Sequence, residues 1–204
     1  MNPPPIRGLC IGTGEWLRVA QRAAAQMSRQ TGLACEVISR VDANLVHSAW
    51  HKLNLLRDYP GETLFIFDAD IWCRRPWDPA LWRETGLAMV PEPPFRPVKL
   101  ESLLYGIAPG RYCNSGLIIA DQRAAGVFAV AKKLHPHYGS WLEQTAINHC
   151  AREFPFQPMP QTLNHQVRPA LPLPEICAVP AINLHFTGRK TVARLHEIFD
   201  ALAG

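Results

Sequence analysis

The chain has 204 residues, 48% of them hydrophobic and 19% charged, with 21 basic and 17 acidic side chains for a formal net charge of +4. Domains commonly run about 100–200 residues, so one domain spanning 1–204 is expected, and the hydrophobic content excludes disorder. The mild basic excess suits a small anionic ligand and carries no nucleic-acid signature, since the longest basic runs are pairs such as Arg74-Arg75 and Lys132-Lys133.

The opening MNPPPIRGLC has no long apolar core and no small-residue cleavage site, and no stretch approaches about 18 consecutive apolar residues, so neither a signal peptide nor a membrane span is expected. Cys10, Cys35, Cys73, Cys113, Cys150 and Cys177 form no Cys-x-x-Cys pair. Zinc sites and disulfide frameworks need clustering, so these cysteines read as small buried hydrophobes in a reducing cytoplasm. Nineteen prolines, concentrated at 91–97 and 155–180, mark two stiff, irregular loop regions.

In chain order, the apolar run Ile6–Ile11 predicts a strand closed by the Gly12-Thr13-Gly14 turn. Helical spacing of Trp16, Ala20, Ala23, Ala24 and Met27 predicts a helix over Glu15–Gln30, stopped by Gly32. A strand over Cys35–Ser39 and a helix over His47–Tyr59, closed by Pro60-Gly61, follow. Thr63–Phe67 is uninterrupted and apolar, the mark of a strand buried on both faces. Strands are expected at Leu87–Val90, Leu117–Ala120 and Ile182–Phe186, and helices at Ser140–Ala151 and Thr191–Leu202. Strands separated by helices predict an α/β fold, a three-layer sandwich with a mainly parallel central sheet.

Ligands of such sheets sit beyond the carboxyl ends of the strands. After the first strand the third glycine of a dinucleotide fingerprint would fall at Leu17, which excludes that reading. After the third apolar strand comes Asp68-Ala69-Asp70. In extended backbone, side chains two apart point the same way, so both carboxylates can face one cation. Such hard oxygen ligands suit Mg²⁺ or Mn²⁺. An isolated Asp-x-Asp is common by chance, and alone the pair reads sooner as two solvated loop carboxylates.

The string FIFDADIW resembles the metal-binding strand end of GT-A glycosyltransferases, and later segments narrow the resemblance. Cys113-Asn114-Ser115-Gly116 with the apolar residues after it is similar to the Asn-Ser/Ala-Gly segment of glycosyltransferase family eight, the glycogenin and galactosyltransferase-like group. Glu143-Gln144-Thr145-Ala146-Ile147-Asn148 is similar to that family's Asp-Gln-x-x-Leu-Asn segment. Asn164 falls where the family often has an Asn, and His185-Phe186-Thr187-Gly188-Arg189-Lys190 resembles its His-Phe-x-Gly-x-x-Lys ending. The order is the family's, over about residues 6–191. The chain departs from the pattern at Gly14, which takes the acidic place, at Trp16, which takes the aromatic place of the family's Tyr, at Glu143 in place of Asp, and in having one residue fewer before Lys190.

The resemblance implies transfer of a sugar from a nucleotide-diphosphate donor, with a UDP-sugar favoured and the acceptor unspecified. Asp68, Asp70 and His185 would hold Mn²⁺ or Mg²⁺ as a Lewis acid for the leaving diphosphate. Lys52 and Lys190 match phosphate-contacting positions, although either is equally a solvated surface charge. Gly12, Thr13, Trp16, Ala69, Ser115 and Gly188 complete the expected donor-binding set. Trp16 would stack on the base, or else serve as a helix-face core residue. Asn114 and Asn164 would contact sugar hydroxyls or cap loops. The family retains anomeric configuration. Gln144 is a poor nucleophile and no base, so a positioning and charge-stabilising role is expected, with Glu143 binding sugar hydroxyls or favouring its helix dipole. A nucleotide-sugar hydrolase, a nucleotidyltransferase and a catalytically silent sugar-nucleotide binding module are the alternatives.

Two other features read as structural and a third as part of the site. His47 and His51, four residues apart, have no intervening Glu of the zincin type and read as a helix face. Trp72, Trp77 and Trp82 read as packing anchors. The long Pro91–Gly110 segment reads as an excursion that walls or covers the site.

Overall fold

A computed structural model describes residues 4–40, 48–108, 110–134, 143–188 and 190–204. The chain runs β1 (Ile6–Ile11), α1 (Leu17–Thr31), β2 (Cys35–Ile38), α2 (Lys52–Asp58), β3 (Thr63–Asp68), β4 (Ile71–Cys73) and β5 (Leu87–Pro91). It continues through α3 (Arg96–Leu104), β6 (Cys113–Ala120), α4 (Ala125–Lys133), α5 (Glu143–Cys150), β7 (Gln157–Pro158), β8 (His165–Val167), α6 (Leu173–Ala178), β9 (Asn183–Phe186) and α7 (Val192–Ala203). Short 3-10 turns precede α1 and α2. His47 and residues 140–142, assigned to helix starts from the sequence, lie outside the described residues.

The central sheet has the order β2-β1-β3-β6-β5-β7. β1 pairs parallel with β2 and β3, and β5 parallel with β7, while β6 runs antiparallel between β3 and β5. That one reversal brings the amino end of β6 to the edge where the other strands end. The expectation for β3 holds: Leu64, Phe65, Ile66 and Phe67 are all fully buried. Phe65 and Phe67 face a core shared with Val19, Ala20, Ala23 and Met27 of α1. Leu64 and Ile66 face Leu53 and Leu56 of α2, Phe128 of α4 and Ile147 of α5. Both faces are therefore covered, and truncating a core aromatic such as Phe65 to Ala costs about 3–5 kcal/mol.

A second sheet, β4-β9-β8, has β4 antiparallel and β8 parallel to β9. Its register sets Ile71 opposite His185, and the Phe186 N–H donates to the Asp70 carbonyl at 3.0 Å. The tryptophans are packing anchors as expected. Trp72 meets Phe199 at 4.5 Å between ring centroids, and Trp77 packs edge-on to Phe65 at 5.3 Å and to Trp82 at 6.0 Å. The Pro91–Gly110 excursion contains the helix α3. No helix among the described residues is long and apolar enough to cross a membrane.

Candidate active site

The sheet edge formed by the ends of β1 and β3 and the start of β6 opens into a cleft of about 430 Å³. Thr13 and Trp16 line one side, Asp68, Ala69 and Asp70 the floor, Asn114, Glu143 and Gln144 the opposite wall, and His185, Gly188 and Lys190 close it. Lys52 also reaches it. Three expected residues stand behind the cleft. Gly12 serves packing, because a Cβ there would overlap that of Ala20 on α1. Ser115 and Asn164 act through hydrogen bonds to residues that do line it.

Asp68 closes β3, Asp70 precedes β4, and His185 lies on β9, so the pairing of β4 with β9 assembles all three. Their ligand atoms fall within 4.8 Å of one another. His185 Nε2 is 3.4 Å from Asp70 Oδ1 and 3.9 Å from Asp68 Oδ2. Ligands at about 2.1 Å from one ion lie at most about 4.2 Å apart, so both spacings suit a shared divalent ion. Asp68, Asp70 and Glu143 bring three carboxylates to this region against the two ammonium groups of Lys52 and Lys190. A surplus of partly buried negative charge favours a bound cation. These residues fit a metal ion.

Gly116 explains the glycine of the Asn-Ser-Gly segment. A Cβ there would overlap His185 Cε1 and stand 2.7 Å from both His185 Nδ1 and Asn114 Oδ1. His185 is 5% exposed, and among the described residues its Nδ1 has no hydrogen-bond partner.

Burial pushes the Asp70 carboxyl up, but His185 and Lys190 outweigh it and hold the group well below the usual carboxylate range. Lys190 pairs with Asp70, donates to the Phe186 carbonyl at 2.5 Å, and lies 5.9 Å from the Trp16 ring centroid. Lys52 is 2% exposed, which overturns its reading as a solvated helix charge. Its three donors match three acceptors: Asp68 Oδ1 at 2.6 Å, Glu143 Oε1 at 2.9 Å and the Ser115 carbonyl at 2.9 Å. Burial pushes this ammonium down, and the carboxylates of Asp68 and Glu143 raise it further than burial lowers it.

Glu143 and Gln144 occupy the first turn of α5. Asn148, one turn on, pins that helix to β6 by accepting from the Cys113 N–H at 2.6 Å and donating to its carbonyl at 2.8 Å. Gln144 Oε1 accepts from the Ser115 N–H at 2.9 Å, and the Ser115 hydroxyl donates to Glu143 Oε1 at 2.9 Å. Reading the sequence residue by residue missed Asn148 as an anchor. It also missed Glu92, a buried carboxylate that takes an N–H from Gln144 at 3.4 Å. The signal for Glu92 was its place directly after an apolar strand, the same signal that singled out Asp68 and Asp70.

No family model matches the chain, and no curated protein matches it. Solved structures do. The bifunctional glycosyltransferase WbbM in its apo form aligns over 98% of this chain and 50% of its own, with a TM-score of 0.68 at 11% identity. A glycosyltransferase involved in glycosylation of the major capsid of PBCV-1 aligns over 96% of this chain and 98% of its own, with a TM-score of 0.64 at 12% identity. The glycosyltransferase GlyE of Streptococcus pneumoniae TIGR4 aligns over 98% of this chain and 63% of its own, with a TM-score of 0.54 at 10% identity. This chain thus spans half the length of the WbbM chain and nearly all of the capsid-modifying one. Its mixed α/β fold with a mostly parallel central sheet is the fold of these glycosyltransferases.

Proposed function

We propose that this chain is a metal-dependent GT-A glycosyltransferase of a single domain, moving a sugar from a nucleotide-diphosphate donor to an acceptor with retention of configuration. The observation that carries the reading is the Asp68–Asp70–His185 cluster, at the floor of a cleft with an aromatic ring on one side and the Glu143-Gln144 turn on the other. The glycosyltransferase fold of its structural neighbours supports it. The resemblance to glycosyltransferase family eight favours a UDP-sugar and Mn²⁺, with Mg²⁺ as the substitute. The six cysteines, three of them buried, support a cytoplasmic setting.

Asp68, Asp70 and His185 would hold the divalent ion, which when bound would supply Lewis-acid stabilisation of the leaving diphosphate. The chain's own groups do the rest. Trp16 offers a face to the base. Lys190 brings a positive charge to the edge of the cleft where the phosphates would lie, and Thr13 and Gly188 line that same stretch. Lys52, saturated by its three acceptors, holds Asp68 and Glu143 in place instead of reaching the donor. Glu143 and Gln144 present polar groups to the sugar. Neither is arranged as a displaced nucleophile, because Glu143 Oε1 already accepts from a lysine and a serine and Gln144 is an amide. The resemblance to glycosyltransferase family eight, whose members retain configuration, favours same-face attack guided by the leaving group.

The test is a panel of UDP- and GDP-sugars with Mn²⁺, read by release of nucleoside diphosphate, followed by proton NMR of the new anomeric centre. Release from a UDP-sugar and an α-linked product from an α-linked donor are expected. No release from any sugar nucleotide would overturn the assignment, and a β-linked product would make Glu143 the leading base of an inverting enzyme.

A further inference from the structure

Behind the cleft lies a buried carboxylate that the scheme above leaves without a task. Glu92 follows β5 directly and is 6% exposed. Its partners are amides: Oε1 accepts from Asn114 Nδ2 at 2.8 Å and from Gln144 Nε2 at 3.4 Å, and Oε2 accepts from Gln166 Nε2. A buried carboxylate is costly unless its oxygens are hydrogen bonded, so these N–H groups hold Glu92, and Glu92 in turn sets which way each amide faces.

The chemistry of the partners makes those orientations unambiguous. The Ser115 N–H can only donate, so it needs Gln144 Oε1, while Glu92 can only accept, so it needs Gln144 Nε2. Asn114 is fixed more tightly. Both lone pairs of its carbonyl are taken, by the Gly116 N–H at 2.7 Å and by Asn164 Nδ2 at 2.7 Å, and one amide hydrogen goes to Glu92. What Asn114 has left for a ligand in the cleft is its second N–H.

We infer that Glu92 is a positioning residue, holding Asn114 and Gln144 in the single amide orientation that keeps an N–H of each available to the oxygens of a bound sugar. This rests on the sugar-transfer reading above. It refines the expectation for Gln144, whose carbonyl is turned to the β6 backbone, and makes both residues hydrogen-bond donors toward hydroxyl or ring oxygens.

Glu92→Gln keeps the shape and replaces one acceptor oxygen with an NH₂ group, so at least one of the three amide donors must turn away. Because the hydrogen-bond partners of the Glu92 carboxylate among the described residues are Asn114, Gln144 and Gln166, and not the metal ligands or Trp16, turnover should fall by about tenfold to 100-fold while UDP affinity in Mn²⁺ is unchanged, the cost of a misaligned contact. Glu92→Asp should recover part of the rate. In a Gln144→Ala background, Glu92→Gln should cost much less, since residues acting through one another are not additive. A readout independent of turnover is the side-chain amide NMR signals of Asn114 and Gln144, which should shift in Glu92→Gln while those of Gln122 stay in place. Unchanged amide signals, unchanged turnover, or the same loss in the Gln144→Ala background would each overturn the inference. If the wild-type chain turns over no sugar nucleotide, the functional reading fails, and the amide signals still decide the role of Glu92.

Discussion

The Lys52 ammonium lies 2.6 Å from Asp68 Oδ1, with 2% of the lysine exposed. The same nitrogen bonds Glu143, so one buried cation ties the metal-ligand strand end to the first turn of α5. Breaking a buried ion pair by removing one partner costs about 3–5 kcal/mol, because the other charge is left uncompensated. Lys52→Met should therefore lower unfolding free energy by about that much in urea. Its raised pKa places the linked stability fully below the ordinary lysine value of 10.5 and loses it only at higher pH, so the cost should be constant between pH 6 and 9. A loss below about 1 kcal/mol would return Lys52 to the role of an ordinary surface charge.

Asp70 gives the opposite pH signature. Its folded pKa is depressed below the ordinary 3.8, so the stability it contributes is present above that value and is lost as pH falls through the lower folded value. Wild-type stability should drop steeply below about pH 4, and Asp70→Asn should flatten that acid limb while leaving the slope from pH 6 to 8 unaltered. Denaturation curves at stepped pH measure this. Identical acid limbs in the two proteins would contradict it.

Gly116→Ala places a methyl group against the His185 ring and Asn114 Oδ1. Overpacking of this kind costs about 1–3 kcal/mol, and here the displaced ring is a proposed metal ligand. Weaker Mn²⁺ binding by calorimetry should accompany the loss of stability. Wild-type values for both would mean that His185 has room to move.

These assignments also mark how much the sequence carried. The β3 run and the Asp68-Ala69-Asp70 step after it were legible, because full burial on both faces leaves a continuous apolar string that ends where the polar residues begin. The strands β4 and β8 were not, since three residues are too few to display a period. The helix α3 carries an inverted pattern that hid it within a loop assignment. It buries Glu101 against the Tyr112 hydroxyl at 2.9 Å and leaves Leu100, Leu103 and Leu104 exposed. The apolar run of β6 places its start at Leu117, four residues late, because Asn114 and Ser115 are polar and are buried by hydrogen bonds to Glu92 and α5. Nor does a single strand disclose its direction, and the reversal of β6 is what delivers Asn114 to the cleft.

Trp16 sits half-buried at the cleft mouth, 5.9 Å from Lys190 Nζ. If its ring carries the base, Trp16→Ala should weaken nucleotide binding by about 1–3 kcal/mol, measured by calorimetry with UDP and Mn²⁺. An unchanged dissociation constant with a fall in folding stability would assign the ring to the core.

The claim on which the rest depends is that Asp68, Asp70 and His185 bind the donor through a divalent ion. Calorimetric titration of UDP into the wild-type chain, with Mn²⁺ and then with excess EDTA, tests it most directly, alongside Asp70→Ala shown to be folded by circular dichroism. Binding should require Mn²⁺, disappear in EDTA and be absent in Asp70→Ala. Equal affinity in EDTA, or an Asp70→Ala chain that binds UDP and Mn²⁺ as the wild type does, would contradict the account.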